Sequence, residues 1–174
     1  MKNKLLYIFI TLLIASCGTD KPKDTVTKSE APISQPKIEK PVFDADSAYL
    51  YVKEQVDFGP RYPNNEAHGK CALFLENKLK SFGLKTSTQI GKAVTFNNKN
   101  ITIKNIIGEY NPEAKKRILL FAHWDTRPFA DQDTKDMTSP ILGANDGGSG
   151  VGVLLEVARQ LTITQPSVGV DIIF

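Results

Sequence analysis

Apolar residues recur at helical spacing in two segments of the first half of the chain. The first segment begins after Asp44 and Asp46, whose side chains suit a helix N-terminus, and ends at Gly59-Pro60. The second begins after Asn65, another N-cap candidate, and ends at Gly83. The apolar positions that define the two predicted helices are Ala45, Ala48, Tyr49, Val52 and Val56, then Ala67, Cys71, Phe74, Leu75, Leu79 and Phe82.

The second predicted helix carries a thiol and an imidazole. Cys71 lies on the apolar stripe, which predicts a buried and unreactive thiol. His68 lies off that stripe, which predicts a solvated histidine. Neither side chain is therefore predicted to carry chemistry.

Between residues 84 and 110 the pattern changes from helical spacing to alternation. Apolar and polar residues alternate at 94–96 and again at 101–103. The intervening segment 97–100, Asn-Asn-Lys-Asn, is typical of a turn. The pattern predicts an antiparallel hairpin.

Two strand-like runs enclose a third helix in the last third of the chain. Residues 117–122 form a continuous apolar run, which predicts a strand covered on both faces, and residues 168–174 form another. A helix is predicted to begin near Asp146, with apolar positions Val151, Leu154, Leu155, Ala158 and Leu161. Strand, helix and strand make a βαβ unit, so the predicted fold class is α/β, with three α/β/α layers and a mixed, partly parallel central sheet. Because the second run reaches Phe174, the sheet is incomplete at its C-terminus, and the natural protein is expected to continue.

Residues 1–17 have the parts of an export signal. Two lysines precede an apolar run at residues 5–14, which is too short to span a bilayer. Residues 14–17, Ile-Ala-Ser-Cys, resemble the lipobox of bacterial lipoproteins, in which the cysteine, here Cys17, becomes the lipidated first residue. We therefore predict a lipoprotein signal peptide, with an ordinary cleaved signal peptide as the alternative. Several acyl chains on Cys17 would give stable anchoring.

Residues 18–42 contain Lys, Thr, Ser, Pro and Asp and very few apolar side chains. Such a segment cannot bury enough surface to offset the entropy lost on ordering, so it is predicted to be a disordered tether. Residues 43–174 then form the folded part.

The overall composition is close to that of an average globular protein. Of 174 residues, 41% are hydrophobic and 24% are charged. The formal net charge of +3 is too small to argue for a nucleic-acid partner. With Cys17 assigned to lipidation, Cys71 has no partner for an intrachain disulfide, so the fold must be held by its core.

Side chains suited to metal binding follow the first strand-like run and precede the third helix. They lie in segments 123–128, His-Trp-Asp-Thr-Arg-Pro, and 143–150, Gly-Ala-Asn-Asp-Gly-Gly-Ser-Gly. Ligands of open α/β sheets bind at the carboxyl ends of the strands, where both segments are expected. Imidazole and carboxylate are suitable zinc ligands, and an Asp two residues after a His can orient its ring. The glycines allow a close approach of the backbone to a metal or substrate.

Each of these candidates also has a purely structural interpretation. Asp146 could simply cap a helix, His123 could be a hydrogen-bonded core residue, and Asp125 could satisfy a turn. Trp124 is more typical of packing than of a substrate wall. Taken alone, none of the four residues decides between the two interpretations.

Together the two segments resemble the signature of the M28 zinc peptidase superfamily, and within it they are most similar to bacterial glutaminyl cyclases. Segments 58–61, Phe-Gly-Pro-Arg, and 105–108, Asn-Ile-Ile-Gly, resemble further segments of that superfamily. The resemblance covers residues 43–174. It implies that they are the N-terminal part of a catalytic domain with a zinc aminopeptidase-like fold.

The resemblance also implies roles for individual residues. Asp146 corresponds to a zinc ligand, and His123 and Asp125 correspond to a His-x-Asp pair with a supporting or orienting role. In dinuclear aminopeptidases the histidine binds a second zinc ion, so His123 is a further ligand candidate. One zinc ion is expected for a cyclase and two for an aminopeptidase. The general acid/base, its acidic neighbour and a zinc-binding histidine are expected beyond Phe174, so the 174-residue chain alone is expected to be inactive.

The implied activity is that of a glutaminyl-peptide cyclotransferase, an acyltransferase that converts an N-terminal glutamine to pyroglutamate and releases ammonia. Its substrates are peptides or proteins with N-terminal Gln, and its cofactor is zinc. One alternative is an M28-family zinc aminopeptidase, and another is a non-catalytic surface lipoprotein with the same fold. The lipid anchor implies an exported bacterial lipoprotein, held to a membrane on the periplasmic side of the cell envelope.

Overall fold

The computed structural model describes residues 40–174. The predicted signal peptide with Cys17, and residues 18–39 of the predicted tether, lie outside the described residues. Residues 40–42, the end of that tether, are exposed and belong to neither a helix nor a strand. Within residues 40–174, no helix has the length and apolar character needed to cross a membrane.

Two helices begin and end where the sequence predicts. Helix α1 spans Ala45–Val56, and the Asp44 side chain accepts hydrogen bonds from the first turn. Helix α2 spans Glu66–Ser81, and the Asn65 side chain accepts a hydrogen bond of 2.7 Å from the Ala67 N–H. The chain leaves α2 through Gly83, whose φ of 76° favours glycine.

The buried face of each helix differs in part from the prediction. On α1, Tyr49 is 74% exposed, and the buried side chains are Ala48, Tyr51 and Gln55. On α2, His68 is buried together with Cys71, Ala72, Leu75 and Leu79, so the prediction of a solvated histidine was wrong. His68 precedes Cys71 by three positions and Leu75 by seven, which places all three on one helical face. The prediction for Cys71 is confirmed, since the residue is fully buried and burial raises the pKa of its thiol to about 12.

The sheet is mixed, as predicted. Its strands are β1 (Lys85–Val94), β2 (Asn100–Tyr110), β3 (Arg117–Phe121) and β4 (Gly169–Ile173), in the order β1-β2-β4-β3. Strands β1 and β2 form the predicted antiparallel hairpin, β2 pairs antiparallel with β4, and β3 pairs parallel with β4. The hairpin turn begins earlier than predicted, because the Thr95 N–H donates to the Lys99 carbonyl. Phe96 therefore lies in the turn, where it is fully exposed.

The third helix, α3 (Gly150–Ile163), connects the two parallel strands and completes the predicted βαβ unit. It is preceded by one wide helical turn, Ala144–Ser149, whose backbone is not helical at Asp146 and Gly147. The α-helix thus begins four residues after Asp146 rather than at it.

One hydrophobic core joins the helices to the sheet. Buried side chains of α2 and α3, among them Leu75 and Leu155, pack with Ile106 and Ile172 of the sheet. Strand β3 lies at the edge of the sheet in the described part of the chain, and Ile118, Leu119 and Phe121 are at least half exposed. The prediction that this strand is covered on both faces therefore does not hold within residues 40–174.

Candidate metal centre

The structure brings His123 and Asp146 together at the carboxyl end of the parallel strands. His123 follows the last residue of β3 by two positions, and Asp146 lies in the wide turn before α3. The Nε2 atom of His123 is 3.1 Å from Oδ1 of Asp146. Both side chains are more than half exposed, at 59% and 54%, so a ligand can reach them.

The backbone at Gly147 makes this approach possible. Gly147 has a φ of 91°, a conformation that favours glycine. A Cβ atom at this position would lie 3.0 Å from both Cε1 and the carbonyl oxygen of His123. The N-cap position of α3 is held by Ser149 rather than by Asp146. The interpretation of Asp146 as the cap of α3 therefore does not hold, and its role as a metal ligand stays a prediction.

Asp125 contacts the other ring nitrogen of His123. The Nδ1 atom lies 3.2 Å from the Asp125 carbonyl oxygen and 3.5 Å from its carboxylate Oδ1. Donation from Nδ1–H to the carbonyl leaves the lone pair of Nε2 free to face a cation. The contact at hydrogen-bond distance is thus made by the main chain of Asp125, and its carboxylate lies slightly farther away.

The two donor atoms fit a zinc ion in chemistry and spacing. Two ligand atoms bound about 2.0–2.1 Å from one tetrahedral zinc ion lie roughly 3.3 Å apart, close to the 3.1 Å separation of Nε2 and Oδ1. A catalytic zinc ion usually takes three protein ligands. The described residues contain no cluster of three or more His, Cys, Asp or Glu side chains that could hold a metal. The His123–Asp146 pair therefore falls one ligand short of the usual set for a catalytic zinc ion within residues 40–174.

The loops that carry these ligands are joined by Arg61, which is fully buried. Its guanidinium donates to the carbonyls of Trp124 (3.2 Å), Leu142 (2.9 Å) and Gly143 (3.0 Å). It also donates to two carbonyls at the end of α1, those of Gln55 (3.1 Å) and Gly59 (3.2 Å).

These five acceptors are all main-chain carbonyls, so Arg61 satisfies backbone groups that would otherwise be buried without a donor. Burial lowers the pKa of the Arg61 guanidinium, which nevertheless remains charged. No role of its own was predicted for Arg61, because nothing in the spacing of the sequence signals these contacts with distant carbonyls.

Trp124 packs inside the protein and forms no part of a substrate wall in the described residues. It is 3% exposed, and its indole Nε1–H donates to the Lys104 carbonyl at 3.3 Å. Its ring is stacked on that of His68, with the ring centres 4.3 Å apart and the planes 18° from parallel. The packing interpretation of Trp124 is the one that the structure supports.

The burial of His68 makes folding stability depend on pH. Burial, assisted by the nearby charge of Lys104, lowers the pKa of His68 from 6.5 to about 4. The unfolded chain therefore binds a proton between pH 6.5 and 4 that the folded chain excludes. The contribution of neutral His68 to the free energy of unfolding is therefore fully present above pH 6.5. It is lost as the pH falls toward 4. We expect a loss of about 2–3 kcal/mol in the free energy of unfolding between pH 7 and 4.5 from this group.

Urea unfolding of the protein and of His68→Phe at several pH values would measure this contribution. The phenylalanine keeps an aromatic ring against Trp124 but cannot titrate, so its stability should fall less on acidification. Equal losses in the two proteins would show that His68 does not exclude the proton. Because the carboxylates titrate in both proteins, the difference between the two curves isolates the histidine.

The candidate ligands lie in the wall of a cavity of about 1000 Å³. His123, Asp125 and Asp146 contribute part of its polar lining, together with residues such as Asn64 and Arg127. Its apolar lining includes Phe96 and Ile101 of the hairpin, Phe129, and the Tyr62-Pro63 segment that follows Arg61. The candidate ligands thus lie at one corner of a larger and partly apolar groove.

The mixed α/β sheet, with a His–Asp pair at the ends of its parallel strands, agrees with the zinc aminopeptidase-like fold that the resemblance implies. The comparison with known families agrees, since residues 105–174 match Peptidase family M28. The resemblance to the M28 superfamily is thereby confirmed.

Solved structures extend the likeness to particular enzymes. The chain is 57% identical to the glutaminyl cyclase of Bacteroides thetaiotaomicron bound to N-acetylhistamine, with a TM-score of 0.75. It is 50% identical to the glutaminyl cyclase of Tannerella forsythia, with a TM-score of 0.76. It is also 50% identical to a Zn-dependent exopeptidase from Parabacteroides distasonis, with a TM-score of 0.75. Each match covers 77% of this chain and 47% of the other, so the chain spans about half the length of these relatives.

Proposed function

We propose that the whole protein converts the N-terminal glutamine of peptides or proteins to pyroglutamate and releases ammonia. The observation that carries the proposal is the Nε2–Oδ1 pair of His123 and Asp146, set beside a cavity in a chain that is 57% identical to a glutaminyl cyclase. In the reaction the α-amine nitrogen forms a bond to the side-chain amide carbon, and the bond from that carbon to the amide nitrogen breaks. A proton moves from the amine to the departing ammonia.

Asp146, with His123 as a second donor, would hold a zinc ion, and further ligands are expected after Phe174. When bound, zinc supplies Lewis-acid polarisation of the amide carbonyl. Asp125 orients the His123 ring through its carbonyl, and Arg61 fixes both ligand loops. The general acid/base is also expected after Phe174, so the proposal concerns the whole protein.

Product analysis of the whole protein incubated with a peptide that begins with Gln tests this proposal. We expect ammonia and a peptide of unchanged length that carries pyroglutamate. The same peptide with an acetylated α-amine should not react, because its nitrogen cannot attack. Treatment with a chelator should stop the reaction, and added zinc should restore it.

Two alternatives predict other products. A zinc aminopeptidase would release free glutamine and a shortened peptide. A non-catalytic lipoprotein would leave the peptide unchanged. Either result would contradict the proposed cyclisation.

We further propose that the protein is anchored on the periplasmic side of a bacterial envelope through lipid on Cys17. The support is the lipobox-like segment 14–17 after a short apolar run. Fractionation of cells that produce the whole protein should place it with membranes, and Cys17→Ser should release it to the soluble fraction. A variant that stays with the membranes after export would contradict the anchor.

A further inference from the structure

Asp146 lies in a stretch of backbone that regular helical geometry does not hold. Its φ and ψ are −78° and 98°, and those of Gly147 are 91° and −54°, so neither residue has a helical backbone. The wide turn that contains them is closed by the Gly148 N–H, which donates to the Gly143 carbonyl at 3.1 Å. The direction of the Asp146 carboxylate therefore depends on what holds the two ends of this turn.

Two fully buried side chains hold those ends, and both contacts involve residue 55. Nη2 of Arg61 donates to the Gly143 carbonyl at 3.0 Å, and its Nη1 donates to the main-chain carbonyl of Gln55 at 3.1 Å. The side-chain Nε2 of Gln55 donates to the Gly148 carbonyl at 3.1 Å and to the Tyr51 carbonyl at 2.9 Å. The main chain of Gln55 thus supports one end of the turn through Arg61, and its side chain contacts the other end directly.

Close packing of α1 against α3 places the Gln55 side chain beside the turn. A Cβ atom at Gly152 would lie 2.7 Å from Cγ2 of Val52 and 2.8 Å from the Ala48 carbonyl oxygen, so the two helices meet there without an intervening side chain. Gln55 lies about one turn after Val52 on α1, and Gly148 lies about one turn before Gly152. The amide therefore meets the Gly148 carbonyl next to a tight and fixed helix contact.

The stability of the core alone does not explain a glutamine at position 55. The residue is fully buried, and its Oε1 has no hydrogen-bond partner within residues 40–174. A buried polar atom without a partner destabilises a fold, and an apolar side chain of similar size would avoid that cost. The long-range contact that the amide adds at this position is the one with Gly148.

We propose that Gln55 is a positioning residue for the metal site, because its amide holds the end of the turn that carries Asp146. Asp146 is two residues before Gly148, so a shift of the Gly148 carbonyl moves the carboxylate relative to Nε2 of His123, 3.1 Å away. Loss of residues that hold metal ligands in place typically costs about 10–100-fold in metal affinity or activity. The inference rests on the proposed role of Asp146 as a zinc ligand, and it gives Gln55 no contact with metal or substrate.

The zinc affinity of the whole protein and of its Gln55→Met variant, measured by competition with a chelator of known affinity, tests this assignment. Methionine fills a similar volume but has no amide to hold Gly148, so we expect the dissociation constant for zinc to rise about tenfold. Gln160→Met is the matched control. In the unchanged protein the Gln160 Nε2 donates to the distant Val42 carbonyl at 2.8 Å, toward the end of α3 and away from the ligand loops. This control should bind zinc within about twofold of the unchanged protein.

Urea unfolding with the chelator present checks that each metal-free variant is folded. If Gln55→Met does not fold, Gln55→Asn takes its place with the same expectation. Its amide is one carbon shorter, so it cannot hold the Gly148 carbonyl as the glutamine does.

A loss of zinc affinity confined to the variants of Gln55 supports the positioning role. An unchanged affinity in the folded variant overturns it, and so does an equal loss in Gln160→Met, because the effect would then not be specific to the turn. Neither of these results contradicts the proposed cyclisation, which ammonia release by the unchanged protein tests separately. A whole protein that binds no zinc, or that binds it equally well after Asp146→Ala, overturns the metal site and this inference with it.

Discussion

Replacing Arg61 by methionine is expected to lower the free energy of unfolding by about 4 kcal/mol or more. The guanidinium donates to five main-chain carbonyls and is fully buried, so the substitution leaves buried acceptors without donors. Each buried unsatisfied polar group costs about 1–3 kcal/mol, reduced where water can enter. Urea unfolding of the whole protein would measure the loss. The expected loss is a large fraction of the roughly 5–15 kcal/mol by which proteins are stable.

Arg127→Met provides the matched control for this prediction. Arg127 is partly exposed and pairs with Asp131, another exposed side chain four residues later. Exposed ion pairs contribute about 0–1 kcal/mol, so its removal should change stability little. If Arg61→Met and Arg127→Met unfold at similar urea concentrations, the hydrogen bonds of Arg61 do not contribute the expected amount of about 4 kcal/mol to the free energy of unfolding.

Replacing Asp146 by alanine is expected to lower kcat/KM for a Gln-starting peptide by more than about 100-fold. Loss of residues that merely support metal ligands already costs about 10–100-fold in metal affinity or activity, and Asp146 is proposed as a ligand itself. The zinc content of the purified whole protein should fall with the activity. Zinc analysis by mass spectrometry and the ammonia assay would measure both quantities on the same sample.

The control for Asp146→Ala is Asp46→Ala, which removes an exposed carboxylate from the first turn of α1. This variant should keep its zinc and its activity within about twofold, because a first-turn carboxylate contributes only about 0.3–1 kcal/mol to its helix. An Asp146→Ala protein that retains both zinc and activity would remove Asp146 from the metal site. Loss of zinc with retained ammonia release would instead show that the metal is not needed for the reaction.

Local rules explain most of what the sequence predicted correctly. The limits of α1 and α2 follow from Asp44, Asn65 and Gly83, because caps and helix-ending glycines act within one turn. The approach of His123 to Asp146 followed from topology, since the ends of parallel strands share one edge of a sheet.

Features that depend on distant contacts were missed or misplaced. His68 was assigned to solvent because a histidine was not counted as part of an apolar face, yet stacking on Trp124 buries it. The role of Arg61 depends on carbonyls up to 82 residues away, and no side-chain pattern encodes where carbonyls converge. Phe96 was placed in a strand because alternation continues into the turn, and only the pairing of Thr95 with Lys99 shows where the strand ends.

The burial of Cys71 has a consequence for oxidation damage. Its thiol lies inside the core beneath α2, and its high pKa leaves almost no thiolate at neutral pH. The thiolate is the nucleophile that reacts with oxidants, alkylating reagents and foreign disulfides, so these reagents modify Cys71 only when the core around it opens. In an oxidising compartment the native fold thus protects its own cysteine. The rate at which Cys71 is chemically modified would therefore measure how often the core opens.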